Sequence, residues 1–179
     1  MRAPVPLDRG HGPAVVLLHG GGWVIGDLDT HDLTARTIAT LCEAVVVSVA
    51  YRLAPEHPYP ASLDDAVNAY RALIADGADP QRMAVMGESS GGGLMLAMLL
   101  RLRDEGVLLP AAAVALSPWI DLALTGNSLK LNAKADPMLR SEEAPRLASQ
   151  YLAGADPRTP YVSPLYGDPA GLPPTLIHV

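Results

Sequence analysis

Short apolar runs that alternate with helical segments constrain the fold of this chain more than any other feature. The runs at 14–19 (AVVLLH) and 44–50 (AVVVSVA) are rich in β-branched residues and are bounded by turn residues. Such strands are typical of a parallel sheet covered on both faces, because a half-exposed strand would alternate apolar and polar residues. Further strands are predicted at 83–87, 111–116 and 175–179.

Helical periodicity predicts three helices between these strands. The first is capped by Asp29 or Thr30, and the second begins at Ser62, with Asp65 completing a variant of the capping box. The third, at 92–106, is apolar on nearly every side and is therefore expected to be buried. Strands that alternate with helices predict an α/β fold with a doubly wound, mostly parallel sheet.

The segment 117–174 interrupts this alternation. It contains many prolines and one predicted helix, SEEAPRLASQYL. A long excursion between two strands is more often a lid than a structureless loop. We therefore expect core at 1–116, a cap-like insertion facing the substrate at 117–174, and the next core strand at 175–179, where the chain ends.

Composition excludes several classes of function. The net charge is −6 without a basic stripe, which argues against a nucleic-acid partner. Cys42 is the only cysteine, so neither a disulfide framework nor a cysteine metal site is expected. The first ten residues lack the apolar core of a signal peptide, and the longest apolar stretch, 94–100, is far shorter than the ~20 residues that span a bilayer. We expect a cytoplasmic protein without a membrane span.

The pentapeptide Gly87-Glu88-Ser89-Ser90-Gly91 fits the G-x-S-x-G pattern of a nucleophile elbow, between a predicted strand and a predicted helix. A sharp turn of this kind projects the serine hydroxyl out of the sheet, and it requires glycine on both sides because side chains there would collide. Alone, the motif is also compatible with an ordinary loop. A phosphate-binding loop would require a lysine, and none is near.

A second glycine motif, His19-Gly20-Gly21-Gly22-Trp23, directly follows the first strand. Three glycines allow backbone N–H groups to point inward without obstruction, as an oxyanion hole requires, although a plain glycine-rich turn would have the same sequence. Together with the elbow, the motif predicts a hole formed by the amides of Gly20, Gly21 and Ser90.

With these residues the chain resembles the hormone-sensitive-lipase-like branch of the α/β-hydrolases, the bacterial carboxylesterases with an HGGG loop. The resemblance rests on HGGGWVIGDLDTHD, VAYRLAPEHPYPASLDDA, DPQRMAVMGESSGG and SPWIDL. It implies that Ser89 is the nucleophile and that Glu88 braces the elbow. It also implies a small ester substrate and no metal or organic cofactor, and the small apolar residues of the segment 117–174 favour short to medium acyl chains. The residues that support the motifs are His19, Gly22, Gly87, Glu88 and Gly91.

The resemblance is incomplete. Only five of the about eight strands expected for the fold are predicted. In the family the triad Asp and His follow the strand that here ends at Val179, and each of the five histidines (11, 19, 31, 57 and 178) fits a structural role better. We expect the acid and the base to lie beyond this chain, as in a truncated sequence or one completed by another fragment, and the chain alone to be inactive. The expected protein partner is a second copy in a homodimer or a complementing fragment. The alternatives are a ligand-binding module without turnover and an inactive fragment of the same fold.

Overall fold

The computed structural model describes residues 12–136 and 143–179. His11 and the first two residues of the predicted helix SEEAPRLASQYL lie outside the described residues. The strands and helices, in chain order, are β1 (Ala14–Leu18), α1 (Asp32–Leu41), β2 (Val45–Ser48), α2 (Ala61–Ala75), β3 (Met83–Glu88), α3 (Ser89–Asp104), β4 (Ala112–Leu116), α4 (Asn127–Leu131), α5 (Glu143–Leu152) and β5 (Thr175–His178).

All five strands form one parallel sheet in the order β2-β1-β3-β4-β5. The predicted α/β architecture with a parallel sheet is confirmed. The register pairs Leu18 with Gly87 and Glu88 with Leu116, so the carboxyl ends of β1, β3 and β4 lie side by side. Loops that leave adjacent strand ends meet at one edge of such a sheet, where α/β proteins place their ligands.

Burial is greatest in the middle of the sheet. Every residue of β1 is buried, and α3 is buried on nearly all sides, as its sequence predicts. The expectation that the run at 44–50 is buried on both faces is wrong, because β2 is an edge strand and all four of its residues are partly exposed. At the opposite edge, all four residues of β5 are exposed.

The predicted cap of α1 is also wrong. Thr30 hydrogen-bonds to Asp27 instead: its amide donates to Asp27 Oδ1 over 2.7 Å, and its hydroxyl accepts from the Asp27 amide over 2.9 Å. The residue before α1 is His31, which makes no side-chain capping bond. The Thr30 side chain is therefore engaged in a local turn and does not cap the helix.

In α2, Ser62 is a buried helical residue rather than the cap. The helix begins one residue earlier, at Ala61, and the Ser62 hydroxyl donates to the hydroxyl of Tyr151 over 3.4 Å. The second member of the predicted capping box, Asp65, accepts a hydrogen bond from Arg52 Nε over 2.9 Å. Tertiary partners outcompete the local capping pattern here.

The segment between β4 and β5 contains α4 in addition to the predicted helix, which is α5. One face of α5 is buried, through Ala144, Ala148 and Tyr151. The division into core and insertion stays a prediction, as does the cytoplasmic location. Across the described ranges, no helix has the length and apolar character needed to cross a membrane.

The burial of α3 predicts a large contribution of this helix to stability. Leu99 is fully buried, whereas Leu41 at the end of α1 is 79% exposed. We expect Leu99→Ala to lower the free energy of unfolding by about 3 kcal/mol, because it removes buried methyl groups and leaves a cavity. The matched Leu41→Ala is expected to change it by less than about 0.5 kcal/mol. Urea denaturation measures both, and equal effects would contradict the burial of α3.

Candidate active site

The junction between β3 and α3 has the backbone of a sharp strand-to-helix turn. Glu88 is still extended, with φ −116° and ψ 148°, whereas Ser89 has a left-handed φ of 50°. A left-handed non-glycine residue costs about 1–2 kcal/mol, so surrounding contacts must hold it. One of them is a hydrogen bond from the amide of Trp119 to the carbonyl of Ser89, over 2.9 Å.

Glycine is required on both sides of Ser89, but for two different contacts. A Cβ on Gly87 would lie 2.3 Å from the carbonyl oxygen of Gly91, across the turn as predicted. A Cβ on Gly91 would instead lie 2.3 Å from the carbonyl oxygens of Leu18 and His19, at the end of β1. The second glycine therefore keeps the elbow in contact with the neighbouring strand.

That contact brings the HGGG loop to the elbow. A Cβ on Gly20 would lie 3.0 Å from Oε1 of Glu88. Gly21 and Gly22 have φ values of 125° and 62°, which residues with side chains rarely adopt. Among the described residues, no backbone hydrogen bond occupies the amides of Gly20 and Gly21. The amide of Ser90 belongs to the first turn of α3, where N–H groups have no acceptor within the helix.

His19 fixes the start of this loop. It is only 4% exposed, and its Nδ1 lies 2.8 Å from the carbonyl oxygen of Gly20. The hydroxyl of Tyr51 donates to the carbonyl of His19 over 2.6 Å, and the two rings stack with their centroids 4.2 Å apart. Because C=O and N–H point in opposite directions across a peptide plane, anchoring the Gly20 carbonyl also orients the amide of Gly21.

Burial lowers the pKa of His19 from its ordinary value of 6.5, and this effect exceeds the opposing one of the hydrogen bond to Gly20. A neutral imidazole with Nδ1 protonated can donate to the Gly20 carbonyl. A neutral His19 can therefore keep its hydrogen bond to the start of the loop.

Glu88, the predicted brace, contacts His31, the residue before α1, and the sequence did not indicate this partner. Its Oε1 lies 3.3 Å from Nε2 of His31, whose side chain is only 16% exposed. The ring of His31 lies 5.3 Å from that of His19, centroid to centroid. The two residues of the pair are 57 positions apart, so no local pattern could have predicted their contact.

Within 12–136 and 143–179, no hydrogen bond joins the Ser89 hydroxyl to a histidine. His57 is exposed on a loop, and the carbonyl of His178, on the edge strand β5, accepts a hydrogen bond from the amide of Ser117. The described residues also include no group of three or more His, Cys, Asp or Glu side chains that could hold a metal ion.

The carboxylate of Asp121 is engaged in hydrogen bonds within the segment after β4. Burial raises its pKa, but hydrogen bonds from Thr125, from the hydroxyl of Tyr166 and from the amide of Ala123 outweigh burial and leave the pKa below its ordinary value. Both carboxylate oxygens accept at least one of these bonds. A carboxylate used in this way stabilises the turn after β4.

Comparison with known proteins identifies what the chain is similar to. Residues 15–179 match the model of a family described as having the alpha/beta hydrolase fold. An acetyl-hydrolase of Streptomyces hygroscopicus is 43% identical over 171 residues, which cover 96% of this chain and 57% of the relative.

Two solved structures are also similar. One is an esterase from the bacterial hormone-sensitive lipase family, with a TM-score of 0.91 at 48% identity, covering 93% of this chain and 56% of that one. The other is EstE5 soaked with p-nitrophenyl butyrate, with a TM-score of 0.90 at 46% identity and the same coverage. The chain thus spans slightly more than half the length of the proteins it matches.

The contact at Gly91 predicts a strong effect of one methyl group. We expect Gly91→Ala to lower the free energy of unfolding by about 3 kcal/mol, because the new Cβ would overlap two main-chain carbonyls that cannot move independently. Gly126→Ala is the matched control, since Gly126 has a negative φ and its Cβ position is 3.8 Å from the nearest atom. Thermal unfolding of both variants measures the difference, and a harmless Gly91→Ala would contradict the close approach.

The lowered pKa of His19 predicts a dependence of stability on pH. The unfolded chain protonates His19 near its ordinary pKa of about 6.5, whereas the folded chain does so only at lower pH. The unfolded state therefore binds more protons below that pH. The contribution of neutral His19 is complete above pH 6.5 and is lost as the pH falls from there toward the folded-state pKa.

Denaturation midpoints measured between pH 5 and 8 should show this loss of stability. His19→Gln should reduce the change of the midpoint with pH, whereas His57→Gln, at an exposed position, should leave that change as it is in the wild type. An NMR titration of the His19 ring tests the same point without a variant. A folded-state pKa of His19 above 6.5 would contradict it.

Proposed function

The chain belongs to the hormone-sensitive lipase family of α/β-hydrolases, and on that premise we propose that it carries the nucleophilic half of a carboxylic-ester hydrolase. Ser89 is the nucleophile, and the amides of Gly20, Gly21 and Ser90 form the oxyanion hole. The substrates are small esters with short to medium chains. The EstE5 crystals soaked with p-nitrophenyl butyrate support a substrate of this class. Serine catalysis of this kind uses no metal or organic cofactor.

The proposed reaction follows the serine-hydrolase sequence. Ser89 Oγ attacks the ester carbonyl while a base takes its proton, and the negative charge develops on the former carbonyl oxygen. Expulsion of the alcohol, which receives that proton, leaves an acyl group on Ser89. Water then attacks the acyl carbonyl and regenerates the serine, releasing the carboxylic acid.

The observation that carries the proposal is the left-handed Ser89 at a strand-to-helix junction, directly beside a glycine loop. The Gly20 and Gly21 amides of that loop have no backbone hydrogen bond among the described residues. Donors fixed before the reaction stabilise the oxyanion without reorganisation, and loss of one such donor costs about 10²–10³ in kcat. The contacts of Gly91 and Gly20 with the opposing motif hold the two parts together. An ordinary glycine-rich turn would not require this close approach.

The base and the acid, in this proposal, come from polypeptide outside these 179 residues, either as more of the same chain or as a complementing fragment. Two observations support this: no histidine among the described residues is hydrogen-bonded to the Ser89 hydroxyl, and Asp121 is already engaged by Thr125 and Tyr166. Without a base, the serine hydroxyl is a weak nucleophile. Only the residual enhancement of about 10³–10⁴-fold over water remains, from the oxyanion hole and binding.

The described residues include no histidine that is hydrogen-bonded to Ser89, and this also favours a second candidate function. That function is a ligand-binding module that holds an ester or a carboxylate without turnover. The two functions share the pocket and differ in chemistry. Tight binding of such a ligand, without reaction even when a base is supplied, would favour the second.

The test is Ser89-dependent reactivity. The purified 179-residue polypeptide is treated with a fluorophosphonate probe and with p-nitrophenyl butyrate, alone and after addition of a family segment that carries the acid and the histidine. We expect slow labelling and little turnover alone, and an increase in both when the segment is added. Ser89→Ala should abolish labelling, whereas Ser128→Ala, at an exposed serine of α4, should not.

Two outcomes would contradict the proposal in different ways. Equal labelling of the wild type and Ser89→Ala would mean that Ser89 is not the nucleophile. Rapid turnover by the polypeptide alone would mean that a base is already present in the chain or its oligomer.

A further inference from the structure

The two tryptophans of the chain meet between the HGGG loop and the elbow. Trp23 directly follows Gly22, and Trp119 lies in the segment after β4. Their ring centroids are 5.3 Å apart, at an interplanar angle of 48°. Trp23 is only 1% exposed. A side-chain contact therefore connects the loop to a segment distant from it in sequence.

Trp119 is fixed to the elbow through its main chain. Its amide donates to the carbonyl of Ser89 over 2.9 Å. Its own carbonyl lies against α3, where a Cβ on Gly93 would come within 2.0 Å of the oxygen. The indole Nε1 donates to the carbonyl of Asp121 over 3.1 Å, which fixes the ring as well. Both the backbone and the ring of Trp119 thus have defined positions relative to Ser89.

Trp23 is held on the loop side by α5. Its ring stacks on Tyr151, with centroids 4.5 Å apart and planes 12° from parallel. Leu147, one turn earlier in α5, covers the adjacent glycine: a Cβ on Gly22 would lie 2.9 Å from Leu147 Cδ1. Three consecutive glycines have no side chains with which to fix their own backbone. The rigid ring that follows them is therefore the anchor of the loop.

We propose that Trp119 is a positioning residue that holds the oxyanion loop at a fixed distance from Ser89, through its ring contact with Trp23. The proposal rests on the proposed function, in which that loop stabilises the charge formed by attack of Ser89. Donors are effective only within about 2.7–3.1 Å of the oxyanion, and a displacement of about 1 Å can cost 10²-fold in rate. Trp119 itself does not touch the reacting atoms.

Two variants separate the ring from the main chain. Trp119→Leu removes the ring contact but keeps the amide that bonds to Ser89, and Trp119→Phe keeps an aromatic ring that can pack on Trp23. Leu73→Ala is the control for general destabilisation, because Leu73 is a buried residue of α2. Hydrogen–deuterium exchange of residues 19–26 reports the order of the loop without any need for turnover.

The second readout is binding of butylboronic acid, measured by calorimetry. Its boron forms a bond with the Ser89 oxygen while the hydroxyl proton passes to the buffer, and the resulting tetrahedral anion resembles the transition state. We expect Trp119→Leu to increase exchange in residues 19–26 severalfold and to weaken boronate binding about tenfold. Trp119→Phe should stay within about twofold of wild type in both readouts. Leu73→Ala should leave boronate affinity unchanged and should not increase exchange in residues 19–26 more than in the rest of the protein.

The proposal is overturned if Trp119→Leu leaves exchange of residues 19–26 at the wild-type rate, or if exchange increases while boronate affinity stays unchanged. Failure of the proposed function has a separate signature, equal affinity of wild type and Ser89→Ala for the boronate, including no binding by either. In that case exchange alone decides whether Trp119 holds the loop.

Discussion

The close approach of β1 to the first turn of α3 is the constraint on which the rest of the site depends. Only a residue without a side chain fits at Gly91, because a Cβ there would overlap the carbonyl oxygens of Leu18 and His19. That contact determines where the loop after β1 can run. It also explains why the two glycine motifs, distant in sequence, form one structural unit: a parallel register aligns the two strand ends, and the glycines let them touch.

Burial gives this unit its rigidity. The carbonyl of His19 accepts a hydrogen bond from the Tyr51 hydroxyl. The imidazole of His19, kept neutral by burial, donates a hydrogen bond to the carbonyl of Gly20. A charged imidazole in the same position would lose hydration that the surrounding groups could not replace. The glycine loop is thus supported from its first residue by a stacked pair of rings and two hydrogen bonds. Flexible residues are held in place by a rigid buried neighbour.

The sequence predicts those parts of the structure that depend on repeated local patterns. Continuous apolar runs predicted the parallel strands, and the glycine motifs predicted which loop and which turn have unusual backbones. The predicted cap of α2 was wrong because Ser62 and Asp65 have partners, Tyr151 and Arg52, that only the folded chain brings to them. The contacts of Glu88 with His31 and of Trp23 with Trp119 were not predictable for the same reason. Local sequence shows that a residue is unusual, whereas its partner depends on topology.

The two tasks of a serine hydrolase, stabilising the oxyanion and transferring the proton, place different demands on structure. Oxyanion stabilisation requires main-chain amides fixed before the reaction, and each well-placed donor contributes about 3–4 kcal/mol. Among the described residues, contacts of His19, Tyr51, Gly91 and Trp119 hold the loop and the elbow. Proton transfer requires only that a base reach the serine hydroxyl. On the proposed function, the electrostatic half of the apparatus lies in the folded sheet and its loops, and a base added from outside would meet a loop and an elbow that are already held in place.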